Sequence, residues 1–255
     1  MNLSLVQIFG ALLTIGVRLT GIMLFGPFFG STVIPARVKA VLVVALTALL
    51  YPMISPKIPQ MTISQWPMMV ISELLIGVAL GVATNVVFDG VQMAGQILSV
   101  QMGYSLVNIL DPQTQVESTV VATFHQTIAM LIFLRLNVHI WILGALARSF
   151  DYLPPASGHF GGLFTSAAVE AGAGVFAIGI QIAAPVLSAT LFADIALGLL
   201  GKASPQLPLM LLGPAVKSIL GLLILISALK YWPNLFEHLF LSSIGSAEKL
   251  LHLAR

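Results

Sequence analysis

Residues 66–88 read WPMMVISELLIGVALGVATNVVF, an apolar run broken by a single acid, Glu73. Crossing the hydrocarbon of a bilayer takes about 20 mostly apolar helical residues, and this run is long enough. Lipid offers backbone N–H and C=O groups no partner, so a segment of this kind satisfies them internally, as a helix. Pro67 suits the first helical turn, where the N–H it lacks would go unpaired anyway.

Working outward, about five more segments of the same character flank it. One runs from near Leu3 to Gly26 and a second from Ala40 to about Ile54. Downstream, one runs from about Thr119 to Leu134, with a possible continuation to Ala147. A further stretch, Ala167–Leu200, is too long for one span, and Pro185 is expected to kink or split it. The last runs from about Leu207 to Leu229. Between them lie Pro52, Pro56, Pro59 and Pro67, then Pro154-Pro155 with nearby glycines, then Ser204-Pro205-Gln206-Leu207-Pro208, all turn or loop signals. Residues 234–255 alternate Leu and Phe with Glu, His, Ser and Lys, the pattern of a short amphipathic interfacial helix. The expected fold is all-α, about six hydrophobic segments in helical hairpins within one domain over 1–255.

Composition agrees. Of 255 residues 58% are hydrophobic and 8% charged, against about 25% charged in soluble domains. Most of this surface must therefore meet lipid or other apolar helices. Absence of cysteine excludes disulfides, thiolate metal sites and a Cys nucleophile. Net charge is only +2 and no Lys/Arg cluster occurs, so nothing points to nucleic acid. Enzyme signatures are missing as well: no His-Glu-x-x-His, no Gly-x-Ser-x-Gly, no P-loop. Gly172-x-Gly174-x-x-Ala177 lies in an apolar helical run with no strand before it and reads as packing. His125, His139, His159, His238 and His252 lack ligand spacing, so neither a metal nor a cofactor is expected.

The most informative polar feature is a stripe. Asn85, Asp89, Gln92, Gln96, Ser99 and Gly103 recur at steps of three and four, which on a helix is one face. Val86, Val87, Val91, Leu98 and Val100 fall on the other. A polar face on a membrane helix avoids lipid, and either lines water or bonds to other helices. With Gln101, the stripe runs into a stretch containing Leu106, Val107, Asn108, Ile109, Leu110, Asp111, Pro112 and Gln113. Its apolar residues would be out of place in a solvated loop and fit either a constriction or a structural re-entrant loop.

Four charges interrupt apolar segments: Arg18, Glu73, Asp194 and Lys217. Each costs about 2.5–3.5 kcal/mol at a helix centre, so each needs a partner or a polar interior, either as an ion pair at a subunit contact or in a relay. Asp194 and Lys217 flank the Lys202–Pro208 break and can pair. Gly77-x-x-x-Gly81 and the series Ala168, Gly172, Gly179, Ala183 are small-residue faces suited to close helix contact.

Taken together, these pieces resemble the FliR family, the R-type subunit of the flagellar export gate, with T-type relatives in injectisomes. The resemblance covers essentially the whole chain. It rests on Arg18, Pro27 and Pro35-x-Arg37, then Gly95-Gln96, Gln101-x-Gly103 and Asp111-Pro112. It continues through Ala184-Pro185-Val186, Asp194-x-x-x-Gly198, Ser204-Pro205-Gln206-Leu207 and Gly213-Pro214-x-x-Lys217. Pro208 departs from the Asn usual in the family at that point.

The resemblance implies a subunit that joins P-type and Q-type subunits (FliP, FliQ) in a helical assembly. That assembly is the entry gate for unfolded protein substrates, within the flagellar basal body at the bacterial inner membrane, in contact with lipid and with the B-type switch protein FlhB. The resemblance also implies that a plug loop closes the gate, which by position falls on about Leu106 to Glu117. The alternative is a secondary transporter with a midplane site near Pro185, Asp194 and Lys217, for which broken helices with buried charge are typical.

Overall fold

A computed structural model describes residues 5–30, 34–59, 62–104, 120–158, 160–206 and 209–254. The protein is all-α, with no strand among the described residues. Among the described residues eight helices follow in order: α1 Leu5–Phe25, α2 Ala36–Ile54, α3 Trp66–Gln101, α4 Val120–Arg135, α5 Val138–Tyr152, α6 Gly162–Ala203, α7 Leu209–Ala228 and α8 Trp232–His252. Two short 3-10 turns, Ser55–Lys57 and Ile63–Gln65, separate α2 from α3.

Local chemistry explains the boundaries. Gly26 and Pro27 end α1, and extended Pro35 precedes α2. Before α3, Gln65 Oε1 accepts the Thr62 N–H at 3.1 Å, half of a capping box. The segment beginning at Trp66 does not stop near Phe88; it continues as one helix through the polar stripe, 36 residues or about 54 Å of ideal helix. Pro185 does not split its segment either, for α6 runs unbroken for 42 residues. By contrast, the segment starting near residue 120 is broken at Asn137, whose φ of 55° is a left-handed value that Asn tolerates, so that α4 and α5 are separate helices.

Among the described residues four stretches are long and apolar enough to cross a membrane: Leu5–Phe25, Ala36–Lys57, Ile63–Gln101 and Gly162–Ala203. The bent pairs Val120–Arg135 with Val138–Tyr152, and Leu212–Ala228 with Trp232–His252, raise the number to as many as six. The C-terminal helix begins at Trp232, two residues before the expected position, with Pro233 in its first turn. Its apolar side chains Phe236, Phe240, Ala247 and Leu251 are buried inside the protein rather than left for a membrane interface.

The single domain expected from the sequence divides into two compact units, 1–86 with 137–173 and 240–255, and 87–136 with 174–239. The first has a core of Ile15, Leu19, Ile22, Ile76, Leu146 and Phe150; the second is built on Val87, Val91, Leu98, Phe133 and Ile182.

Candidate functional site

Within the first unit, Arg18 of α1 and Glu73 of α3 are both wholly buried and bond to each other, Nε to Oε2, at 2.6 Å. Glycines make this contact possible. Gly77 lies one turn beyond Glu73, and Gly21 three residues beyond Arg18, so both fall on the faces that meet. A methyl on Gly21 would come within 2.6 Å of the Gly77 backbone, and one on Gly77 would strike the Arg18 carbonyl. The Gly77-x-x-x-Gly81 motif is thus a contact between α1 and α3, with Gly81 against Phe25 and Gly26.

The rest of the pocket completes the bonding. Arg18 donates from Nη1 to Ser149 Oγ at 2.8 Å and from Nη2 to the Leu153 carbonyl at 3.2 Å, and its guanidinium lies 3.8 Å from the Phe150 ring centroid. The Ala156 N–H donates to Glu73 Oε1 at 3.4 Å. Two charges with no exposure are tolerable only when paired and bonded in this way. Both are satisfied inside their own unit. The sequence reading listed them as separate charges and missed Ser149, Phe150, Leu153 and Ala156 altogether. The signal that could have joined them is the matched glycine beside each.

In the second unit, Lys217 Nζ of α7 lies 3.0 Å from Asp194 Oδ1 of α6, the pairing that the sequence allowed. This pair is different in kind, since the Asp194 side chain is 43% exposed. Gln101 Nε2 donates to Asp194 Oδ2 at 3.3 Å, tying the end of α3 to the same pair. Beyond it the helix is stopped. The Tyr104 N–H bonds to the Ser99 carbonyl and the Gly103 N–H to the Val100 carbonyl, a Schellman cap with Gly103 at φ +87°. The Tyr104 and Ser218 hydroxyls are 2.6 Å apart, and Pro214 packs on Gly103.

The polar stripe therefore divides. Gly103 caps the helix instead of continuing its face, and Ser99 is fully buried. Asp89 and Gln96 are exposed; Asn85, Gln92 and Gln101 are half-buried. On the opposite face Val86, Val87, Val91 and Leu98 are buried, whereas Val100 is exposed. The apolar side of α3 is thus used inside the chain while polar residues face outward. Gly95, between them, allows Ala122 of α4 to touch the helix backbone. Residues 106–113, the expected plug, lie outside the described residues.

His125, scattered in sequence, is a buried packing residue: its Nδ1 is 2.8 Å from the Val121 carbonyl and its ring 5.0 Å from that of Trp232. Of the small-residue series, Gly179 and Ala183 are packed, Gly179 against Met93 and Gly90, but nothing lies near Gly172. No group of three or more potential metal ligands forms among the described residues.

Comparison with known proteins gives a coherent result. The chain is 30% identical over 224 residues to a flagellar biosynthetic protein FliR of Pectobacterium carotovorum, covering 88% of this chain and 86% of that protein. Against FliR of Bacillus subtilis it is 28% identical over 254 residues, 98% of each. Against FliR of Escherichia coli it is 28% identical over 228 residues, 88% of this chain and 86% of that protein. Residues 9–243 match the family described as bacterial export proteins, family 1. The chain belongs to that family, the FliR family of membrane export proteins.

Proposed function

We propose that this chain is a structural and gating subunit of the flagellar type III protein export gate. It contributes one wall of a channel for unfolded substrates and packs beside P-type and Q-type subunits, with the B-type switch protein as a further contact. Its place in this reading is the bacterial inner membrane, within the flagellar basal body. The supporting observation is the outward polar face of α3. Gln96 is exposed on a chain that is 58% hydrophobic, and acyl chains cannot solvate its amide. A neighbouring subunit or a water-filled conduit can. Residues 106–113, which follow the polar face directly, are assigned to the plug on the family resemblance.

A carrier reading loses its premise. A midplane carrier site is typically built from a discontinuous helix, and Pro185 lies inside the unbroken α6.

Two measurements test the proposal. Co-expressed with P- and Q-type subunits, the chain should extract in detergent as a large hetero-complex; running alone or as a small homo-oligomer would refute it. Deleting residues 109–113 should leave that complex intact while the membrane leaks small solutes. A complex that stays tight after the deletion removes the plug assignment.

A further inference from the structure

The chain exposes two kinds of surface. On α3 the exposed residues are mixed, Asp89 and Gln96 with Met68, Ile71, Val82 and Val100. On α2 they are Val38, Val41, Val44, Leu49 and Met53, with Val41 69% and Leu49 71% exposed. Only Thr47 and Ile54 of α2 are buried, and 11% of the most apolar 18-residue window of Ala36–Lys57 is covered, against 56% for that of Ile63–Gln101. Some occupant has to cover this face.

Its chemistry favours lipid over a sister subunit. Helix contacts within this chain are built on glycine: Gly21 with Gly77, and Gly95 with Ala122. Membrane helix interfaces in general use small residues and polar bonds. Helix α2 contains no glycine and no serine, its one threonine, Thr47, is buried, and its exposed alanines alternate with the bulkier Val38, Val41, Val44, Leu49 and Met53. Its length fits as well: Ala36–Lys57 is 22 residues, about 33 Å of helix, against about 30 Å of hydrocarbon.

The two ends of the span differ in charge. At one end Arg37 and Lys39 form no ion pair among the described residues. At the other, Lys57 is paired with Asp151 at 2.5 Å, and Tyr51 and Trp66, aromatic residues of the kind that settle at a headgroup level, line one cavity with Ser55 and Ile58. We propose that the outer face of α2 is a bilayer-facing surface of the protein, and that Arg37 and Lys39 hold anionic phospholipid headgroups at one end of it. This goes beyond the export reading and rests on it only for the complex in which it is tested.

Because the chain has no cysteine, single labels are simple to place. The assembled complex, carrying Val44→Cys or Leu49→Cys with a spin label, is reconstituted in vesicles of phosphatidylcholine and phosphatidylglycerol at 3:1. Both labels should collide with oxygen and be shielded from a water-soluble nickel chelate. Labels silent to both reagents would mean that a protein subunit covers the face, and labels reached by nickel would mean water; either overturns the proposal. A bimane on Val41→Cys, quenched by brominated phosphatidylglycerol or brominated phosphatidylcholine, reads the headgroup preference. The R37Q/K39Q double variant should lower that preference by about thirtyfold, from about 1 kcal/mol per basic residue near a membrane surface. K57Q should not change it. An unchanged preference in the double variant overturns the headgroup assignment.

Discussion

Replacing Arg18 with Met tests how the first unit is held together. The substitution leaves the Glu73 carboxylate fully buried with the weak Ala156 N–H bond at 3.4 Å, and deprives the Leu153 carbonyl and Ser149 Oγ of the guanidinium. Removing one member of a buried pair costs about 3–5 kcal/mol. Because neither side chain touches solvent, no screening reduces that figure. Glu73→Met should cost a similar amount, tempered by the bonds and ring contact that Arg18 keeps. Replacing both should behave differently, since apolar side chains of matching volume in place of a buried ion pair are often neutral or stabilising by about 1–4 kcal/mol. The assay is denaturation of the purified chain in mixed micelles, followed by tryptophan fluorescence, for the two single variants and the double. The double should be far more stable than the sum of the singles implies. An Arg18→Met cost under about 1 kcal/mol, or strict additivity of the two singles, would refute the account of a sealed pair.

Gly77→Ala should destabilise by about 2 kcal/mol or more in the same assay, because its methyl meets the Arg18 carbonyl and has nowhere to go. Gly245→Ala, with nothing within 4 Å, should be neutral or stabilising by up to about 1 kcal/mol; equal effects of the two would remove the close-contact argument. Asp194→Ala should lower the yield of assembled complex more than the transport per complex, since it releases both Lys217 and Gln101; normal yield with transport lost would favour a relay.

Most of the helices were legible because a run of about 20 apolar residues in lipid has to satisfy its backbone as a helix. Where they stop was less so. Phe88 looked like an end because polar residues follow it, but α3 needs only its valine face to pack, and a polar opposite face does not stop a helix. Pro185 looked like a break, yet a proline inside a long packed helix can be tolerated. Asn137 carried the real break, through a backbone angle that residue identity permits without requiring. At the site, Asp194 and Lys217 could be matched because they flank one short turn. Arg18 and Glu73 are 55 residues apart, and the Ser149 and Leu153 that complete their pocket are more than 130 from Arg18. No local pattern connects such distances, although Gly21 and Gly77 mark the contact once they are read together.

That same separation sets an order on how the chain is made. When α1 leaves the ribosome its arginine has no counter-charge, at a standing cost of about 2.5–3.5 kcal/mol if it enters lipid alone. The acid arrives with α3, and the hydroxyl and carbonyl that occupy the other two guanidinium nitrogens arrive only with Ser149 and Leu153. Until more than half of the polypeptide has been synthesised, the first helix is an unfinished lodger in the bilayer, held back from its final seat by partners not yet translated.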